Sequence, residues 1–187
     1  MCIRDSTQSE INRILVEQAQ RGRTVVRLKG GDPFVYGRGG EEVIACREAG
    51  VAVEVVPGVS SALSAPGAAG IPLTHRGTVG AVHIVHGHEP IDTHALSAAA
   101  TQTATLVVLM GVRLLADHVR DLVAHDAPDD LPVAIIEDAT TARQRVTTAN
   151  LGEIVGVALD AGVRAPAVIV VGRVADPALL APSRRAG

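Results

Sequence analysis

Aromatic residues are almost missing from this chain: one Phe, one Tyr and no Trp in 187 residues. Single-stranded nucleic acid is gripped by stacking on several such rings, so that class of function is excluded. Duplex binding is excluded too, because 17 Lys+Arg against 20 Asp+Glu leave a net charge of −3 and no basic footprint. Lysine is equally scarce. Lys29 is the sole one, and every other basic residue is Arg. A GC-rich genome accounts for this bias, and selection of guanidinium for carboxylate or phosphate recognition would look the same. Two cysteines, Cys2 and Cys46, cannot build a disulfide framework, which makes a cytoplasmic setting the expectation. The longest apolar stretches, at 105–112 and 165–171, are far shorter than the ~18 residues of a membrane span. No charged-then-apolar secretion leader opens the chain.

What is present is enough to fold. Hydrophobic residues make up 47% and charged residues 20%, too apolar for a disordered chain. The length suits one domain or two small ones, at roughly 100–200 residues per domain. β-Branched runs predict strands at 24–29, 53–57, 81–86, 105–110, 132–137, 144–148 and 167–172. Several are continuous rather than alternating, as in strands covered on both faces. Helices are expected between them, at 6–21, 40–49, 60–69, 112–125 and 150–161, with Gly22 closing the first. Such alternation means an α/β protein with ligands at the carboxyl ends of strands. A composition change near 77–80 marks a boundary, so two units are expected, 1–79 and 80–187. Residues 1–6 read as an arbitrary leader, and two strands are too few to complete the first unit. The amino end therefore looks truncated.

The chemistry concentrates in one loop. Between a strand and a helix run Lys29-Gly30-Gly31-Asp32-Pro33-Phe34-Val35-Tyr36-Gly37-Arg38-Gly39-Gly40-Glu41-Glu42. Glycines at this density let backbone amides approach a ligand at a helix N-terminus. No Gly-Lys-Ser/Thr follows, and the spacing is not that of a dinucleotide fingerprint. Asp32 sets the sign of the ligand: its carboxylate repels a phosphate but can pair with an ammonium, a sulfonium or a ribose hydroxyl. A tight turn closed by an Asp-Pro step is the structural alternative. Both aromatics, Phe34 and Tyr36, fall inside this loop, where they can wall a flat ligand or anchor the turn. A second strand-to-helix turn, Val56-Pro57-Gly58-Val59-Ser60-Ser61-Ala62, offers Ser60 as an N-cap and opens a helix of small residues.

Other constellations are weaker. His83, His86 and His88 lack a cysteine or carboxylate partner set, so no metal site is expected. Glu41 and Glu42 diverge by ~100° on a helix, which suits first-turn carboxylates better than a paired acid and base. Ser60 and Ser61 lack a nucleophile-elbow frame.

The glycine loop with its preceding strand (25–42), the second turn, Gly70-Ile71-Pro72-Leu73-Thr74-His75-Arg76, Gly87-His88, Met110-Gly111 and 166–174 together resemble the uroporphyrinogen-III C-methyltransferases of the tetrapyrrole methylase family. The resemblance implies two α/β domains, the first incomplete here, with S-adenosylmethionine in the cleft between them and a homodimeric assembly. Carried over position by position, it implies cofactor contacts at Gly30, Gly31, Asp32, Val35, Ser60, Ser61, Met110 and Ala139. Ala139 departs from the family's frequent glycine, and His86 from its usual threonine. The implied reaction moves two methyl groups in succession to C2 and C7 of uroporphyrinogen III, giving precorrin-2. A substrate with eight carboxylates calls for cations, and Arg38, His75 and Arg76 are the candidates, with Arg113 behind them. The family's proposed proton acceptor and donor, an Asp and a Lys, lie upstream of the glycine loop, so the chain alone is expected to lack the catalytic base. Lys29 is not that lysine. The competing readings are a later precorrin methylase and a non-catalytic cofactor-binding or dimerisation module.

Overall fold

The structure, a computed structural model, describes residues 6–180; most of the expected leader at 1–6, and Cys2 with it, lies outside them. Chain contacts divide the protein into two compact units, Met1–Ser60 and Ser61–Gly187.

The first unit is built on two helices, α1 (Gln8–Gln20) and α2 (Gly39–Glu48). Thr7 begins α1 with a capping box: the Glu10 N–H donates to the Thr7 hydroxyl, and the Thr7 N–H donates back to the Glu10 carboxylate at 2.7 Å. The Thr7 N–H, and after it the Thr7 hydroxyl donating to the same carboxylate at 2.8 Å, hold the Glu10 carboxyl below its usual range. The helix ends in a Schellman turn, with Gly22 at φ +77° and the Arg23 N–H reaching the Gln18 carbonyl. Ile11 is the buried contact of α1, and the Gln20 amide donates to the Ala49 carbonyl beyond α2.

The second unit is a five-stranded sheet with helices on both faces. Its strands are β1 (Ala81–His86), β2 (Ala104–Leu109), β3 (Pro132–Glu137), β4 (Arg145–Asn150) and β5 (Ala167–Val171), in the order β1-β2-β5-β3-β4. Of the neighbouring pairs among the described residues only β1–β2 is parallel, because β5 inserts antiparallel between β2 and β3, which run the same way. The apolar runs are double-faced, as expected. Leu106, Val108, Val133, Ile135, Ile169 and Val171 face α4 (Thr93–Ala100), α5 (Leu115–Ala124) and α6 (Ile154–Asp160). Their alternates Val107, Leu109, Ala134, Ile136, Val168 and Val170 face α3 (Ser61–Ala68) and a 3-10 turn at Arg173–Ala175. Each fully buried Leu, Ile or Val contributes about 1.5–3 kcal/mol, so this double core is what holds the sheet. No helix among the described residues is long and apolar enough to cross a membrane.

Three expectations need correcting. The segments 24–29 and 53–57 form no strand, because among the described residues neither finds a ladder partner; Val26 and Leu28 are left 83% and 86% exposed. The run at 112–125 starts as a 3-10 turn, Val112–Leu114, before α5. Helix α4 falls in a span, 87–104, for which no element was expected. Asp92 caps it, accepting the N–H groups of His94 and Ala95 at 3.0 Å each.

Candidate functional site

The glycine loop of the first unit is tightly constrained. A Cβ at Gly37 or Gly39 would sit 2.6 or 2.5 Å from the Pro33 carbonyl oxygen, which itself accepts the Gly39 N–H at 2.9 Å. Tyr36 and Arg38 adopt left-handed backbone conformations, φ +52° and +57°, a cost that side-chain-bearing residues bear chiefly at functional loops. The second turn docks on this loop within the same unit. Gly58 lies so close that a Cβ there would approach the Gly31 carbonyl to 2.3 Å. Asp32 joins the two: its carboxylate accepts the Phe34 N–H at 2.8 Å and the Gly58 N–H at 3.2 Å. Both readings of Asp32 therefore meet in one residue. It closes the turn, and each oxygen has a second lone pair for a further donor. Gly30, Gly31, Asp32 and Val35 share this loop, and Ser60 stands two residues past the docked Gly58, immediately ahead of α3, whose first residue is Ser61.

Sequence reasoning missed what supports the loop. Lys29 Nζ donates to the Gly37 carbonyl and, at 2.8 Å, to Glu42 Oε2; Arg27 Nε reaches Glu42 Oε1 at 3.2 Å and Gln8 Nε2 the same oxygen at 3.4 Å. The Lys29 and Glu42 side chains are only 10% and 8% exposed. Glu42 is thus not just a first-turn carboxylate but the hub of a buried network that fixes one end of the loop. The signal was the singularity of Lys29 in an Arg-only chain. Glu41 does stay at the surface and takes both arms of Arg38, at 2.8 and 2.7 Å, so that each charge stabilises the other: the Glu41 carboxyl is lowered and the Arg38 guanidinium raised. Burial, reinforced by Glu42, pushes the Cys46 thiol up.

In the second unit the register gathers Met110 and Ala139 at one end of the sheet. His86 pairs with Leu109, Leu109 with Val168 and Ile136 with Val168, so the exits of β1 and β2 lie side by side and that of β3 at the same end, across β5. Met110 leaves β2 at φ +57° and is 42% exposed; Asp138 and Thr140, flanking Ala139, are also left-handed. Gly87 and Gly111 back onto each other, a Cβ at Gly87 meeting Gly111 Cα at 2.4 Å. Beside Ala139, Glu137 is buried and accepts Arg145 twice at 2.8 Å and the Arg164 N–H at 2.9 Å, which holds its carboxyl below the usual range. His75 and Arg76 belong to a separate turn, where His75 exchanges backbone bonds with Val79 at 3.0 Å and its ring contacts the Thr78 hydroxyl at 3.3 Å. Arg76 and Arg113 are exposed. His88 has left the strand, and its N–H donates to His86 Nδ1 at 3.2 Å. Among the described residues no three metal-ligating side chains are grouped.

Chemically, the first unit offers an amide-rich bend with one carboxylate at its centre. The second offers a row of strained, small or flexible residues at strand exits.

Comparison with known proteins fits this geometry. The family model of the Tetrapyrrole (Corrin/Porphyrin) Methylases matches residues 3–155. The chain is 46% identical over 173 residues to the S-adenosyl-L-methionine-dependent uroporphyrinogen III methyltransferase of Methanosarcina barkeri, covering 90% of this chain and 68% of that protein. It is 45% identical to the uroporphyrinogen-III C-methyltransferase of Methanocaldococcus jannaschii, covering 90% and 71%. It also matches the siroheme synthase of Methylobacillus flagellatus at 44% identity, but spans only 36% of that longer protein. Among solved structures, the Thermus thermophilus uroporphyrin-III C-methyltransferase complexed with S-adenosylhomocysteine superposes with a TM-score of 0.76 at 39% identity, covering 89% of this chain and 74% of that one. A cobalt-precorrin-4 methyltransferase shares the fold with a TM-score of 0.83 at 24% identity, covering 93% and 74%. The chain belongs to the tetrapyrrole methylase family.

Proposed function

We propose that the chain is a uroporphyrinogen-III C-methyltransferase, which moves methyl groups from S-adenosylmethionine to C2 and C7 of the substrate and yields precorrin-2 for sirohaem or cobalamin synthesis. The observation that carries this reading is the 46% identity to the Methanosarcina barkeri enzyme across 68% of its length.

The glycine loop suits this donor. An amide-rich bend without a phosphate-binding lysine, built around a carboxylate that keeps lone pairs free, favours a cationic amino-acid-bearing nucleoside over an anionic one. Lys29, the one lysine near it, is spent on Glu42 and Gly37. In this reading Gly30, Gly31, Asp32, Val35, Ser60, Ser61, Met110 and Ala139 hold the cofactor, which supplies an electrophilic methyl on sulfonium. The chain's own contribution is alignment, a factor that reaches about 7–11 kcal/mol in favourable systems. Asp32 orients the donor and the Met110 and Ala139 strand exits shape its pocket. Arg38, His75 and Arg76 pair with substrate carboxylates, Arg38 by exchanging its exposed partner Glu41 for a substrate carboxylate. None of these residues is assigned the transferred proton. A domain division after residue 79, homodimerisation and a cytoplasmic location belong to the same proposal; they rest on the composition change at 77–80, on the resemblance and on the scarcity of cysteine, respectively.

Calorimetry with S-adenosylhomocysteine, followed by transfer of labelled methyl to uroporphyrinogen III, tests it. Binding of the first and only slow labelling of the second are expected, since none of these residues is assigned the transferred proton. Transfer at ordinary enzyme rates would contradict the expected lack of a catalytic base. A chain that binds no S-adenosylhomocysteine ends the proposal, and binding without labelling favours the non-catalytic module.

A further inference from the structure

His118 lies on α5, is 3% exposed, and is used by nothing in the reading above. Its ring stands directly behind the exits of β1 and β2. Nε2 is 3.2 Å from the Gly87 carbonyl, and since a carbonyl only accepts, Nε2 carries the hydrogen and donates. Nδ1 is buried with no hydrogen-bond partner among the described residues. A core position would favour an apolar side chain over a ring with one orphan nitrogen, so what the ring touches is the point of interest.

It touches two glycines. A Cβ at Gly87 would meet His118 Nε2 at 2.9 Å, and one at Gly111 would meet His118 Cδ2 at 3.5 Å. Between the two glycines, the Gly87 N–H donates to the Leu109 carbonyl at 2.7 Å, and Met110 takes its left-handed turn. Gly87 is therefore held by β2 through its N–H and by His118 through its C=O, and the chain leaves the sheet at Met110, the residue after Leu109. We propose that His118 is a positioning residue: its Nε2–H fixes Gly87 against Leu109, and this sets the direction in which Met110 faces the methyl donor. The role for the donor rests on the functional reading above; the clamp on Gly87 does not.

The substitutions separate the two ring nitrogens. His118→Gln places an amide N–H where Nε2 was, whereas His118→Asn places one where Nδ1 was, out of reach of Gly87. In the full chain, amide hydrogen exchange at Gly87 should quicken about tenfold in His118→Asn and stay within about threefold of the parent in His118→Gln. Affinity for S-adenosylhomocysteine should fall about tenfold in the Asn variant and stay near the parent's in the Gln variant. The Asn amide leaves the Gly87 carbonyl and its own buried polar atoms short of partners, so its unfolding midpoint falls as well; a purely structural role would lower the midpoint and leave the affinity of the folded Asn variant at the parent's value. Ring-nitrogen NMR of the parent should show the proton on Nε2, a readout that needs no variant to fold. Equal Gly87 exchange in the Asn and Gln variants, or a parent proton on Nδ1, overturns the clamp. A parent that fails to bind S-adenosylhomocysteine overturns the functional reading instead, and Gly87 exchange still decides the clamp.

Discussion

Lys29 and Glu42 bury opposite charges in a small unit, and their coupling can be worked out before it is measured. Removing one member of a buried pair strands the other and costs about 3–5 kcal/mol. Here Glu42 keeps Arg27 and Gln8 when Lys29 becomes Met, and Lys29 keeps the Gly37 carbonyl when Glu42 becomes Gln. Each single substitution should therefore cost less, about 2–3 kcal/mol. With both charges gone the ion left behind is Arg27, which at 29% exposure still reaches water, so Lys29→Met with Glu42→Gln should cost about 3 kcal/mol, well short of the sum. A coupling of more than about 1 kcal/mol follows. Tyr36, the only tyrosine in a chain without tryptophan, sits in the loop that Lys29 holds, so urea titration followed by its emission reports on this unit specifically. Lys29→Met should also weaken S-adenosylhomocysteine binding, because the Gly37 carbonyl loses its anchor. Additive costs within about 0.5 kcal/mol would refute the idea of a paired strut.

Gly58→Ala should destabilise the first unit by about 1–3 kcal/mol and weaken donor binding, since its Cβ would collide with the Gly31 carbonyl; urea midpoints and calorimetry check this. Glu137 has a depressed carboxyl pKa, so its contribution is present above the unfolded value near pH 4.5 and lost as pH falls through the folded one. Glu137→Gln should consequently flatten the acid limb of a stability-against-pH curve, and an unaltered limb would contradict the assignment. Buried and raised, the Cys46 thiol should resist a thiol reagent at pH 8 in the native chain and react on unfolding, as counted in a Cys2→Ser background.

Much of the sheet was legible because its strands are short apolar runs with turn residues at both ends. The spans 81–86 and 132–137 are those of β1 and β3, the expectation for β2 is shifted by one residue at both ends, and that for β5 runs one residue too far. Where composition alone spoke, at 24–29 and 53–57, the expectation of strands failed, since a strand also needs a neighbour that local sequence does not name. Helix α4 was hidden for the opposite reason: alanine shows little periodicity, and the Asp92 cap lies outside the alanine run. Of the site, the glycine loop and the Asp32 turn could be read directly. The Glu42 hub and the His118 clamp could not, because they join residues 13 and 31 positions apart whose types are unremarkable one at a time.

The claim on which the account turns is that the Asp32 carboxylate, seated between the Phe34 and Gly58 amides, selects a positively charged methyl donor. Titrating S-adenosylmethionine into the parent and into Asp32→Asn, a neutral side chain of the same shape, addresses it directly. The account predicts at least a tenfold loss of affinity, equivalent to about 1.4 kcal/mol. Unchanged affinity in Asp32→Asn, or ATP displacing the donor from the parent, would contradict it.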